Sequence, residues 1–175
     1  MPPFENFDLD SFWEHSEYAD RAYTEAPPTA ATLAEVEAEL GCKLPTAYIA
    51  LAAHRNGGMP AKSAHRVTAR TSWAEDHIAI HGIFAIGRNK DTSLCGECGS
   101  GFWLREWGYP DIGVYFADCP SAGHDMLCLD YRACGPAGEP TVVHVDQERD
   151  YRITVVAPNF EAFIRSLQDS DDFDI

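Results

Sequence analysis

The chain has 175 residues, 45% of them hydrophobic and 11% aromatic, which is enough apolar material for one sizeable core at a length usual for a single domain, taken as residues 1–175. Its formal net charge of −15 surrounds it with a field that opposes the phosphate contacts on which nucleic-acid affinity rests, so direct DNA or RNA binding is not expected. The charge is uneven: residues 1–40 hold ten acidic and one basic side chain, residues 41–110 five and eight, and residues 111–175 thirteen and four.

Such a field can steer a basic protein partner into contact, or it can simply keep the protein in solution; composition alone weighs the two about equally. The start, MPPFENFDLDSFWEHSEYADR, has neither the basic opening nor the apolar stretch of an export signal. No run approaches the roughly 20 apolar residues that span a bilayer. The expectation is a soluble, cytoplasmic protein whose six cysteines are free thiols, most of them small buried apolar residues, with no disulfide framework.

Taken in chain order, Asp10 to Tyr23 reads as a short helix whose aromatics Phe12, Trp13, Tyr18 and Tyr23 dock on the core before the turn-forming Ala26, Pro27 and Pro28. Thr32 with Glu35 has the spacing of a capping box, and Leu33, Val36 and Leu40 recur at helical intervals up to Gly41. Pro45 fits the first turn of a second helix, with an apolar stripe of Leu44, Tyr48, Leu51 and Ala52 that Gly57 and Gly58 stop after Asn56. Pro60 to Glu75 is polar and irregular, a loop or weak edge strand. Ile78 to Ile86 reads as a strand broken at Gly82.

Gly96, Gly99 and Gly101 predict a flexible stretch, followed by one helical turn through Phe102, Trp103, Leu104 and Trp107. Val114–Ala117, Met126–Tyr131, Thr141–Asp146 and Tyr151–Ala157 are four β-rich runs with short turn-forming connections, which predicts an antiparallel meander. A last helix, capped by Asn159, sets Phe160, Phe163, Ile164 and Leu167 on one face, and should lie across the sheet. The polar tail Gln168–Ile175 is either frayed or a contact segment. The fold class is therefore α+β: an antiparallel β-meander sheet packed with an N-terminal helical pair and a C-terminal helix.

The order of a helix, then GCKLPTAYIALAAHRNGG, a strand ending IHGIFAIG, then GVYFADCPSAGHDMLCLDYRACGPAGEPTVVHVDQER and APNFEAFIRSL, resembles the SUKH superfamily, in the branch named after the fungal Smi and Knr cell-wall regulators. The likeness covers residues 29–167. Two places depart from the family's pattern. Ser121, Ala122, Gly123, His124 and Asp125 replace the usual Gly-rich acidic turn, and His144, Val145, Asp146 replace an aromatic and His before the acid. The resemblance implies a bacterial immunity protein that binds and blocks a cognate toxin, often a nuclease, or an interaction scaffold like the fungal relatives.

No motif in the chain requires catalysis, a metal or another cofactor, and none is expected. Cys95 and Cys98 have the spacing of half a zinc site but lack a matching second pair. Cys119, His124 and Asp125 stand close in sequence without a nucleophile elbow, and His144 reads as a satisfied sheet residue. Paired acids such as Asp8 with Asp10, or Asp171 with Asp172, read as solvated faces. The glycines near residue 100 neither follow a strand nor precede a phosphate-binding helix. Partner-binding candidates are Trp107 and Tyr109 as aromatic anchors, with Asp118, Asp125, Asp130, Asp146 and Glu148 as acids suited to a basic toxin domain. A small metal-dependent or thiol enzyme is the third reading.

Overall fold

The structure, a computed structural model, describes residues 2–173. Two short helices open the chain, α1 (Leu9–Phe12) and α2 (Glu17–Ala22). The single helix expected here divides because Trp13 turns extended to bridge Pro60. Asp8 and Ser16 cap the two pieces by accepting from backbone N–H groups that helices this short leave unpaired. Phe12, Trp13 and Tyr23 are buried, whereas Tyr18 is exposed.

The expected helical pair follows as α3 (Ala30–Leu40) and α4 (Thr46–His54). The cap of α3 is Thr29, whose hydroxyl oxygen accepts from Thr32 N at 3.1 Å, so the Thr32 and Glu35 spacing falls inside the helix instead of opening it. At its other end Gly41 takes the left-handed conformation, with φ 76°. The stripe of α4 is buried as its spacing predicts. Buried Asn56 then ties the end of this helix to the sheet: its amide donates to Ala26 O and Ile86 O, each at 3.0 Å, and its carbonyl accepts from Ile86 N at 2.7 Å.

The apolar run Ile78–Ile86 serves two sheets. Strands β1 (Ala64–Arg66) and β2 (His77–Ala79) form a separate antiparallel pair, while β3 (Gly82–Ile83) belongs to the large sheet. Ile80 N still bonds to Ser63 O and His81 N already bonds to Asp118 O, so the change falls between these two residues. Gly82 is required next to it, because a Cβ there would lie 2.2 Å from the Tyr23 ring. The large sheet continues with β4 (Gly113–Asp118), β5 (Asp125–Asp130), β6 (Thr141–Asp146) and β7 (Arg152–Ala157), in that spatial order and antiparallel throughout. The meander is therefore as expected.

The glycine-rich stretch before α5 (Ser100–Glu106) is folded tightly, contrary to the flexibility expected of it. Cys95 N bonds to Gly87 O, Cys98 N to Asp91 O and Ser100 N to Leu94 O. Side chains at Gly96 or Gly99 would run into the carbonyls of Lys90 and Ser93, at 2.1 and 2.2 Å. The glycines here supply closeness of backbone to backbone.

Helix α6 (Phe160–Arg165), capped by Asn159, lies on the sheet through Phe160 and Phe163. Both rings meet Phe116 of β4, at 5.6 and 5.8 Å, and Phe160 stacks on Tyr48 of α4 at 4.6 Å. Such aromatic pairs contribute about 0.5–1.5 kcal/mol each beyond their buried area, and they join the helical pair, the sheet and α6 into one core. The tail is seated as far as it is described: Gln168 exchanges backbone hydrogen bonds with Ala64, and Phe173 stacks on His77 at 4.4 Å. Asp174 and Ile175 lie outside the described residues.

His65 of β1 is buried, stacked on Phe163 at 5.5 Å, and burial holds its imidazole below the ordinary 6.5. On acidification the unfolded chain takes up this proton first, so the stability that the neutral ring supports is complete above pH 6.5 and is lost as pH falls toward the folded value. Urea unfolding at about pH 7.5 and about pH 5.5 should show a smaller acid-induced loss in His65→Gln than in the wild type. An equal loss in both would contradict this assignment.

Candidate protein-docking site

Three connections converge at one end of the large sheet: the exit from α5, the turn between β4 and β5, and the turn between β6 and β7. The antiparallel register sets their buried base. Asp125 stands opposite Asp146, and His144, two residues before Asp146, shares its face by strand alternation. His144 Nε2 lies 2.7 Å from Asp125 Oδ2, with the two side chains 0% and 1% exposed. The Ser121 hydroxyl donates to the other Asp125 oxygen, and Asp125 N returns a bond to Ser121 Oγ at 3.2 Å. Asp146 accepts from Ser72 N at 2.8 Å and Ser72 Oγ at 2.6 Å, which draws in the loop between β1 and β2.

Cys119, Asp125 and His144 bring donor atoms within 4.8 Å of one another, a set of residue types that can ligate a metal. Their present bonds make them a structural latch. Both Asp125 oxygens are engaged, and the remaining His144 nitrogen, Nδ1, has no partner among the described residues. Donation from Nε2–H to Asp125 leaves Nδ1 as a bare acceptor, which is tolerated better than a bare N–H. Burial and the adjacent Asp125 carboxylate push the Cys119 thiol well above its ordinary range, which keeps it protonated and unreactive. The histidine beside Cys119 and Asp125 is His144, not the sequence neighbour His124, whose side chain is 46% exposed and faces Glu148.

Above the base sits a partly exposed rim. His124 Nδ1 is 2.6 Å from Glu148 Oε1, and its ring meets Trp107 edge-on at 5.7 Å. Trp107 rests on Trp103, and Gly123 passes so close over both indoles that a Cβ would fall 2.7 and 3.1 Å from them. The opposing turn carries Asp150 and Tyr151 at φ 62° and 59°, a conformation that costs a non-glycine residue about 1–3 kcal/mol. It is held because the Tyr151 hydroxyl donates to Trp107 O and the ring packs on Tyr109 at 5.2 Å. Nearby, Trp73 follows Ser72 and is 41% exposed.

Of the seven residues proposed from sequence, Trp107 and Glu148 lie on this rim. Tyr109, Asp125 and Asp146 lie beneath it and are corrected from contacts to supports, since all three are buried; the Tyr109 hydroxyl donates to Gly123 O at 2.6 Å. Asp118 belongs to a separate group with the Tyr23 hydroxyl at 3.0 Å, Gly82 N at 2.9 Å and His81, and burial raises its carboxyl above the usual range. Asp130 is at the opposite end of the sheet, where the Arg132 guanidinium holds its carboxyl below that range. Burial and the Glu39 carboxylate push the Cys95 thiol up to about 12. Ser72 was not singled out from sequence, and His124 and His144 were read as loop and sheet residues with no part in the site; the spacing of His144 to Asp146 is a usable signal once the strands are paired.

Truncating one member of the latch strands the other. Asp125→Ala should cost about 2–5 kcal/mol in urea unfolding, and adding His144→Leu should cost less than the sum of the two single changes, because both polar groups are then gone. Strict additivity would contradict the latch.

No helix among the described residues is long and apolar enough to cross a membrane. Comparison with curated proteins gives no significant match. A family model described as the SMI1 / KNR4 family (SUKH-1) matches residues 27–166, which include both helices of the pair, the meander and α6. The chain belongs to the SMI1/KNR4 (SUKH-1) family.

Proposed function

We propose that the protein is a non-enzymatic immunity protein that binds and neutralises a basic toxin domain, a nuclease by chemical preference, in the bacterial cytoplasm. The observation that carries this reading is the rim of Trp107, His124 and Glu148, set on a rigid buried base in a molecule of net charge −15. A nuclease presents Lys and Arg to phosphate, so an acidic protein competes for the same surface. Its field raises the rate of encounter, and aromatic anchors lengthen the life of the complex. A regulatory scaffold that docks a host protein through the same rim is the second reading, favoured by the family's fungal members.

Both readings leave the buried thiol latch without a chemical step to perform. In this account it exists to hold the turns.

Co-expression with a toxin encoded beside this gene should restore growth. The complex should form more slowly as salt rises, because steering is screened beyond roughly 8–10 Å at physiological ionic strength. Glu148→Lys should weaken protection without shifting the unfolding midpoint. Protection against no adjacent toxin would pass the lead to the scaffold reading.

A further inference from the structure

We infer that Trp107 and Glu148 form a receptor for one arginine side chain of the protein partner, and that His124 occupies the receptor until the partner arrives. This rests on the docking reading above and gives it a chemical target.

Glu148 is half exposed, and among the described residues the only basic side chain against its carboxylate is His124. The His124 ring therefore occupies the two positions that an incoming cation would take: it binds the Glu148 carboxylate at 2.6 Å and stands T-shaped against the Trp107 indole at 5.7 Å. Indole is the aromatic surface that attracts cations most strongly. Elsewhere the molecule already places guanidinium groups over rings, Arg66 over Phe173 at 4.9 Å and Arg165 over Phe7 at 5.4 Å. Trp107 has no such cation among the described residues.

The surroundings favour an exchange confined to side chains. The backbone of His124 is fixed, since its carbonyl accepts from Gln147 N at 3.0 Å, but the imidazole is exposed enough to swing into solvent. Trp107 cannot follow, because Trp103, Gly123 and the Tyr151 hydroxyl hold it from three sides. Opening the receptor breaks the exposed contacts of His124 Nδ1 with Glu148 and, at 3.2 Å, with Gln147 Oε1, and leaves the platform in place. Arginine fits better than lysine: its planar guanidinium can lie on the indole while two parallel N–H groups meet the carboxylate.

The test is an NMR titration of the isolated full-length protein with acetyl-arginine amide, using the neutral isostere acetyl-citrulline amide as control. The Trp107 indole N–H is assigned by its loss in Trp107→Phe. Arginine amide should shift this signal and the amides of residues 123–124 and 147–148. Citrulline amide should shift them several-fold less. Glu148→Gln, at an exposed position, should weaken the arginine amide about fivefold or more, and His124→Ala should strengthen it. Equal shifts by both amides, or arginine shifts that bypass these residues, would overturn the receptor. Failure here alongside protection in co-expressing cells would sink the receptor and leave the docking reading standing. Success here without protection would sink the immunity reading and leave the receptor standing.

Discussion

One hydrogen bond in a region that solvent does not reach, His144 to Asp125 at 2.7 Å, sets the geometry on which the rest of the candidate docking end depends. Asp125 is the first residue of β5, so anchoring it fixes where the preceding turn must close, and Ser121 binds that turn to the same carboxylate. The neighbouring acid, Asp146, ends β6 and is held by Ser72. Two turns and a distant loop are thereby fastened to adjacent strands. A strained Asp150–Tyr151 backbone can persist above them because Tyr151 is tied to Trp107 and Tyr109.

This division between base and rim explains why a protein with 28 acidic residues and 13 basic ones spends some of its acids inside. Buried Asp125 and Asp146 carry no message to a partner; their role is to keep the surface group from moving. Glu148 and the exposed carboxylates supply the field. The separation suits a binder, because a preorganised surface loses less entropy on docking than a loop that must first be ordered.

Much of the fold was legible because apolar periodicity and local capping agreed. The α4 stripe, the four meander strands and the Asn159-capped helix follow directly from spacing. Reading failed where a tertiary contact decided the outcome. Ile78–Ile86 changes sheet because Tyr23, more than fifty residues away in sequence, lies against Gly82. The glycines around residue 96 looked flexible because sequence does not show the carbonyls they approach. At the site, residue types named Trp107 and Glu148, which the fold places side by side on one rim, but charge alone does not reveal depth. Asp125 and Asp146 looked like surface acids, and nearness in sequence does not show that the histidine bound to Asp125 is His144 of the neighbouring strand.

Amide hydrogen exchange on the purified complex with any toxin against which the protein protects, compared with the free protein, shows whether docking falls on this rim. New protection should concentrate in residues 103–109, 119–124 and 147–151, with the strand amides around Asp125 and His144 already slow before binding. Protection confined to α1, α2 or the β7 edge, with those three segments unchanged, would contradict docking there.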